Sequence, residues 1–337
     1  MEWHRLYGSE VKGTVFQQNE QGTQSPKCPV CSGQLVQSDA VYSVDELFTL
    51  WSPIRFSPQT IEEHRRQSPS TALYACDNCR LEIFLPPIIG TPQFYVESYN
   101  LFGAQGESAF GYSADKWDFD EAIKDVEIDH AVIEMGCGPG NFLAKVRPHV
   151  SRVAGAEYNT AAIDQARAKG LSVVPFDEAF LTCKAEFDRV FAFHVLEHVE
   201  VPLEFLARLR TLLKPRGKIG ISVPNQDGPI AFIHPCIHNM PPHHATRWRL
   251  RTLEAAAQRL GMKIERVSYE PLLLENHSYY SWHWVHDRFG GPGLWRKWFC
   301  WTLSRGLQVC FMILLGCGLT YFRPLRGQSI YVLLAML

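Results

Sequence analysis

The chain has 337 residues, is 46% hydrophobic and carries a formal net charge of −2, enough to bury a large core plus a smaller appendage. Its 33 Lys and Arg nearly balance 35 Asp and Glu, which excludes the overall basic field that non-specific nucleic-acid binding requires; no nucleic-acid partner is expected. The opening residues lack a basic stretch followed by an apolar one, so a cytoplasmic start with reduced thiols is expected.

Residues 1–26 are polar and rich in Gln and Gly, and read as a flexible lead-in. A first unit spans 27–87. Within it KCPVCSG supplies Cys28 and Cys31, and ACDNCRL supplies Cys76 and Cys79. Each CxxC can form a knuckle whose two thiolates share one tetrahedral zinc, and two knuckles complete a closed, structural four-cysteine site. The 44 residues between the pairs exceed the usual ribbon spacing, so a helix inserted near VDELFTLW is required. No basic cluster surrounds the knuckles. Residues 88–116, with FYVESYNLFG and FGYSADK, read as an aromatic connector without regular structure.

From Trp117 strands and helices alternate. AVIEM (131–135) is a buried strand, followed by a glycine-rich turn and a helix from Asn141 to Val146. SRVAGAEY is a second strand, AAIDQARAKG a helix stopped by Gly170, LSVVPF a third strand and FDRVFAF a fourth. A helix opened by Pro202 runs to Pro215 and Gly217, and GKIGISVPN is a fifth strand. RTLEAAAQRLG, MKIERVSYE and SIYVLLAML add a helix and two strands. The alternation predicts an α/β, doubly wound, Rossmann-like sheet.

VIEMGCGPGNF places Gly136, Gly138 and Gly140 directly after the first strand, where a tight turn lets backbone approach a ligand. The spacing is GxGxG, with Asn141 where a dinucleotide fingerprint has its last small residue, and no lysine follows to make a P-loop. Glu134, before the glycines, suits an ammonium group, and Glu157, at the end of the second strand, suits two ribose hydroxyls.

In this order EMGCGPG, GAEYN, FDRVFAFHVLEHVEVP and LLKPRGKIGISVPN resemble the class I S-adenosylmethionine-dependent methyltransferases, over about residues 112–270 plus the final strand. The resemblance implies a seven-stranded sheet with an antiparallel last strand, a methyltransferase domain over 117–337 and S-adenosylmethionine as cofactor. Gly136, Cys137, Gly138 and Gly140 would line its methionine and ribose, with Glu157 on the ribose. Adenine would lie near Tyr158 and a loop after strand three, where Asp177 is either a contact or a solvated turn acid. The 88–116 connector would lie over the cofactor with Tyr112 touching it, and Lys116 and Trp117 either touching or packing. CPVCSG and CDNCRLEIFLPP ahead of such a core are similar to zinc-bearing bacterial small-molecule methyltransferases, including sugar C-methyltransferases. HVLEHV resembles the EHV segment of quinone O-methyltransferases, some of which hold a divalent ion there; this implies such an ion near Glu197 and His198.

Nine of the 13 histidines fall between residues 194 and 286, and HPCIHNMPPHH contributes His234, His238, His243 and His244. This loop follows strand five and should cap the substrate side of the sheet. Methyl transfer is an in-line displacement that needs alignment, plus a base for a hydroxyl or acidic-carbon acceptor. His198, His194, His243 and His244 are the candidate bases, with packing the competing role for each. The expected activity is O- or C-methylation of a small-molecule or lipid-linked acceptor; a non-catalytic cofactor-binding scaffold is the alternative. A zinc-hydrolase reading of HxxEH at His194, Glu197 and His198 needs a sustained helix, which the preceding strand and Pro202 leave little room for. Finally, within 295–326 the stretch from Trp298 to Phe322 has Arg305 as its only formal charge, with Arg296 and Lys297 at one end and Arg323 and Arg326 at the other, and Trp295, Trp298, Trp301, Tyr321 and Phe322 resemble interfacial anchors. A helical insertion at about 295–322 follows. It fits peripheral contact with the inner face of a membrane, or a buried lid or dimer helix; Val309 to Leu319 is too short to cross about 30 Å of hydrocarbon.

Overall fold

The computed structural model describes residues 26–52, 54–103, 115–233, 235–272, 274–290, 293–316 and 326–337. Residues 1–25 of the proposed lead-in, Tyr112, His234, Tyr321, Phe322 and Arg323 lie outside them.

The N-terminal unit is an antiparallel meander, β1 (Leu35–Ser43), β2 (Ser70–Cys76) and β3 (Glu82–Leu85), with two helices inserted between β1 and β2. The first, α1 (Val44–Leu50), begins at a capping box in which Ser43 and Glu46 satisfy each other's backbone N–H; this is the helix the long cysteine spacing required. The second, α2 (Pro58–Gln67), is capped by Ser57 with Pro58 in its first turn.

The connector is not irregular. Residues Pro92–Gly103 form α3, whose Phe94 and Ser98, four apart, are both buried. Phe94 stacks on Phe56 at 5.1 Å and meets Trp51 edge-on at 5.2 Å, so this helix completes the core of the N-terminal unit. Its Glu97 carboxylate accepts from the backbone N–H and hydroxyl of Ser57 at 2.9 and 2.8 Å. The aromatic content concealed that helical spacing.

The main sheet begins after α4 (Trp117–Ile123) with β4 (Ala131–Met135). Then come α5 (Asn141–Val146), β5 (Arg152–Glu157), α6 (Thr160–Ala168), β6 (Val173–Pro175), α7 (Phe176–Thr182), β7 (Phe187–Phe193), α8 (Pro202–Thr211) and β8 (Leu213–Pro224). A two-residue strand β9 (Thr246–Arg247) precedes α9 (Leu250–Arg259), β10 (Met262–Pro271), the helices α10 (Leu274–Phe289) and α11 (Leu294–Gly316), and β11 (Arg326–Met336). The seven strands lie in the order β10-β11-β8-β7-β4-β5-β6, with β4 to β8 parallel and β11 antiparallel to both neighbours, as the resemblance implied. Strand β4 is buried along its whole length, as a central parallel strand covered on both faces must be. The third strand is shorter than expected: Phe176 and Asp177 belong to α7, not to a loop.

The two units share a sheet. Strand β9 pairs with β3, Glu82 opposite Arg247 and Ile83 opposite Thr246, so the chain just after His243 and His244 is the fourth strand of the N-terminal unit. Helices α10 and α11 pack on each other and carry 11 of the 20 exposed large apolar side chains among the described residues, including Trp295 at 82% exposure. No helix of the described residues is long and apolar enough to cross a membrane.

Candidate active site

The turn after β4 is built from backbone that only glycine adopts freely. Gly136, Gly138 and Gly140 have φ of 79°, 52° and 76°. A Cβ at Gly136 would stand 2.6 Å from Val195 Cγ2, and one at Gly140 2.3 Å from Leu171 Cδ1, so the turn tolerates no side chain at either end. The Cys137 side chain points away into the apolar cluster around Phe142 and Leu143, leaving its backbone to the turn. Burial pushes that thiol far above its ordinary range.

Two carboxylates converge on this turn. Glu157 Oε2 accepts from Gly138 N at 2.7 Å, and Oε1 accepts from Tyr158 N and Asn159 N at 2.8 and 2.9 Å. Three of about four acceptor positions are thus filled by backbone, and the remaining one is on Oε2. Burial raises the Glu157 pKa against these three donors. Glu134 is 3% exposed, and its Oε2 has no hydrogen-bond partner among the described residues. Burial drives its pKa well above the usual carboxylate range, with Lys116 opposing and Asp118 and Glu157 adding to the shift. An orphaned, buried carboxylate beside a left-handed glycine turn fits an incoming ammonium group, and Glu157 fits a ribose.

The adenine side is less open than the resemblance implied. Tyr158 stacks on Phe176 at 4.2 Å, and Asp177 is bound by Arg208 at 3.0 Å, so Asp177 is an ion-pair partner and not a solvated turn acid. Trp117 packs against the helix-side apolar cluster.

The exit of β7 answers the HxxEH question. His194 has a left-handed φ of 54°, and only Leu196–His198 form a short 3-10 turn, so the five residues are not a helix presenting ligands on one face. The left-handed step instead turns the His194 ring between two buried acids: Nδ1 is 3.2 Å from Glu197 Oε1 and Nε2 3.5 Å from Asp118 Oδ2. Burial disfavours charge on this ring, but the hydrogen bond and charge of Glu197 and the charge of Asp118 outweigh it and raise its pKa. Asp118 is held by the Ser222 hydroxyl at 2.5 Å.

His198 points the other way and meets His243 and His244. The three ring centroids lie 4.8, 4.7 and 4.4 Å apart, with His243 and His244 stacked. Burial lowers the pKa of all three, so these rings are neutral acceptors at physiological pH. Tyr95, from α3, places its hydroxyl 3.1 Å from His198 Nδ1. All four candidate histidines therefore gather at the carboxyl edge of β7, with His194 in its own acid cradle. Asp118, Tyr95 and Asn239, whose Oδ1 lies 3.4 Å from His244 Nδ1, complete the site, and of these only Asp118, an acid buried in the first turn of its helix, has a local signal in WDFD.

The four cysteines also converge. Cys28 and Cys79 sulfurs are 3.5 Å apart, those of Cys31 and Cys76 are 3.4 Å apart, and all four lie within 4.8 Å. Thiolates on a tetrahedral zinc with Zn–S of about 2.3 Å would stand about 3.8 Å apart, within this spread. The two knuckles are the same turn. In each, the first cysteine N–H donates to the carbonyl five residues on, Gly33 or Leu81, at 2.8 Å. In each, the residue after the second cysteine, Ser32 or Arg80, is left-handed with φ of 62° or 67°. A hydrogen bond from Cys79 brings the Cys28 thiol down to about 6, so the cluster already favours a thiolate.

Sheet order, glycine turn and paired acids together define a class I S-adenosylmethionine-dependent methyltransferase domain. Residues 113–267, a little under half of the chain, match the family model described as a methyltransferase domain. An uncharacterized 37.1 kDa protein in transposon TN4556 of Streptomyces fradiae is 28% identical over 118 residues, 31% of this chain and 32% of that one. The chain thus spans about a third of the length of the curated relative it matches. Among solved structures it is similar to a SAM-dependent methyltransferase from Archaeoglobus fulgidus, at 16% identity over 69% of this chain and 99% of that one, TM-score 0.48. It is also similar to one from Mesorhizobium loti, at 16% identity over 66% and 100%, TM-score 0.43.

Proposed function

We propose that the protein methylates a small-molecule or lipid-linked acceptor, at oxygen or carbon, using S-adenosylmethionine. The observation that carries this is the buried, unpartnered Glu134 oxygen beside a glycine turn tied to Glu157. When bound, the cofactor supplies an electrophilic methyl carbon. Glu134 holds the ammonium, Glu157 the ribose, and the turn excludes water by close backbone approach. His198, His243 and His244 line the acceptor side, with His194 fixed between Asp118 and Glu197. A structural zinc on Cys28, Cys31, Cys76 and Cys79 stabilises the N-terminal unit. Calorimetry with S-adenosylhomocysteine tests the cofactor assignment: wild type binds, and folded Gly138→Arg does not. Absence of binding by the wild type would remove the proposal. Metal analysis should return zinc that Cys76→Ser loses.

The lipid-linked acceptor is favoured by the α10–α11 pair. Across α10 and α11, Arg288, Arg296, Lys297 and Arg305 outnumber Glu275 and Asp287, in a chain of net charge −2. This basic, tryptophan-bearing surface suits an anionic lipid headgroup layer. It packs beside the histidine loop, since Tyr280 and Phe311 share an apolar cluster with Ile230, Ile233 and Cys236.

A further inference from the structure

We propose that His198, His243 and His244 bind a transition-metal cation at a centre separate from the four cysteines. The candidate ligand atoms of the three rings lie within 4.8 Å of one another, close enough for small rotations to bring all three onto one ion. His198 Nδ1 lies 2.6 Å from the His243 carbonyl oxygen, so its N–H donates there and its lone pair is on Nε2. His244 Nδ1 faces Asn239 Oδ1 at 3.4 Å, and Asn239 is itself oriented by donating its amide to Gln226 Oε1 at 2.8 Å. Its lone pair is therefore also on Nε2, which lies 3.9 Å from Glu197 Oε1. A ring whose other N–H is held by a carbonyl or amide oxygen is the support pattern of metal-ligating histidine.

Glu197 supplies the second observation. Its side chain is 1% exposed, Oε1 is engaged by His194, and Oε2 has no partner among the described residues. A buried carboxylate oxygen without a donor is an unfavourable arrangement that a neighbouring cation relieves. His194 is outside the ligand set, because both of its nitrogens face acids, Glu197 and Asp118. The proposed ligand set is therefore the three imidazoles, with Glu197 as the counter-charge or fourth ligand.

Three neutral nitrogens select a transition metal such as Zn2+, Fe2+, Co2+ or Ni2+ over Mg2+ or Ca2+, and leave a position for an oxygen ligand. Val195, between His194 and the 3-10 turn, touches the first glycine of the cofactor turn, so the centre sits on the same rim. If the methyltransferase reading holds, the oxygen ligand is the acceptor, an acidic hydroxyl such as a phenol or enol whose ionisation the cation promotes. That consequence rests on the proposed function; the ion site does not.

The test is to strip the full chain of metal, reload it with Co2+, and record absorption and metal content. Two cobalt ions per chain are expected, one with thiolate-to-cobalt charge transfer from the cysteines and one with ligand-field bands alone. The His243→Ala/His244→Ala double variant should lose only the second. Asn239→Ala, which keeps every ligand, should weaken it about 10–100-fold, so the proposal stays testable if the double variant fails to fold. Wild type showing only the thiolate signature, or a second cobalt held equally tightly by the folded double variant, would overturn the proposal. S-adenosylhomocysteine calorimetry on the same wild-type sample separates the two readings, since two cobalt ions without nucleoside binding would leave the ion site standing and remove the methyltransferase.

Discussion

Replacing Glu157 with Gln tests whether one carboxylate both shapes the glycine turn and holds the ribose. In the folded chain Oε1 accepts from Tyr158 N and Asn159 N, and Oε2 accepts from Gly138 N at 2.7 Å. A glutamine amide satisfies the first two donors with its oxygen, which sets its own NH2 against the Gly138 N–H. A buried donor left unmade costs about 1–3 kcal/mol, and a domain of this size loses roughly 2–4 °C in Tm per kcal/mol. Loss of a charged acceptor for the ribose costs about 1.5–3 kcal/mol of binding, a roughly 10–150-fold rise in Kd. Thermal unfolding and S-adenosylhomocysteine calorimetry on the same preparation read both effects. A Kd within about threefold of wild type would refute the ribose role. An unchanged Tm would refute the role in the turn.

Glu134 should make cofactor binding release protons. Burial keeps it protonated above the usual carboxylate range, and an arriving ammonium favours the ionised form. The calorimetric enthalpy of S-adenosylhomocysteine binding should therefore vary with buffer ionisation heat in wild type and not in Glu134→Gln; buffer independence in wild type would contradict this. Acid should destabilise the N-terminal unit through His64. Its Nδ1–H donates to Thr60 O at 2.7 Å and its Nε2 accepts from Thr91 N at 3.3 Å, and burial lowers its pKa below 6.5. The unfolded chain gains a proton as pH falls through about 6.5, so this stability is complete above that pH and lost below it. Denaturant titrations from about pH 7 to 5 should show a shallower decline for His64→Gln than for wild type, and parallel declines would exclude the mechanism. The full chain should float with vesicles containing phosphatidylglycerol at low salt, and Trp295→Asp with Trp298→Asp should abolish this. Equal flotation with phosphatidylcholine alone would rule out an electrostatic contribution.

Most of the core was legible because buried parallel strands are written as contiguous apolar runs. AVIEM and FDRVFAF coincide with β4 and β7, and the helix from Asn141 to Val146 with α5. The cysteine pairs and glycine turn were legible because their chemistry depends on local spacing. The segments whose structure departs from the sequence expectation depend on distant partners. Helix α3 exists because Phe94 fills a core made by Trp51 and Phe56, and its spacing was hidden among other aromatics. Nothing local to Asp177 marks Arg208, 31 residues away, as its partner. Letters alone do not separate His194 from His198, since one left-handed backbone step gives the His194 ring to Glu197 and Asp118 while the His198 ring meets His243 and His244.

The least legible feature explains why the cysteine unit precedes this core. Glu82 lies three residues after Cys79, and its carboxylate binds Arg247 Nη1 at 3.3 Å, Gln226 Nε2 at 3.3 Å and Arg249. Gln226 in turn orients Asn239, which holds His244. Backbone reinforces the same link: Phe84 N donates to Ala245 O at 3.0 Å, and Thr252 Oγ1 donates to the Cys79 carbonyl at 2.9 Å. The chain after His243 and His244 therefore has its position set by β3, whose start is fixed by the second knuckle. The cofactor turn depends instead on β4, β5 and the Glu157 carboxylate, none of which pairs with the cysteine unit. The histidine loop is thus tied to the cysteine unit by strand pairing and the Glu82 ion pairs, whereas the glycine turn meets that unit only through the shared apolar core, so loss of the sulfur cluster should disturb the histidine loop before the turn.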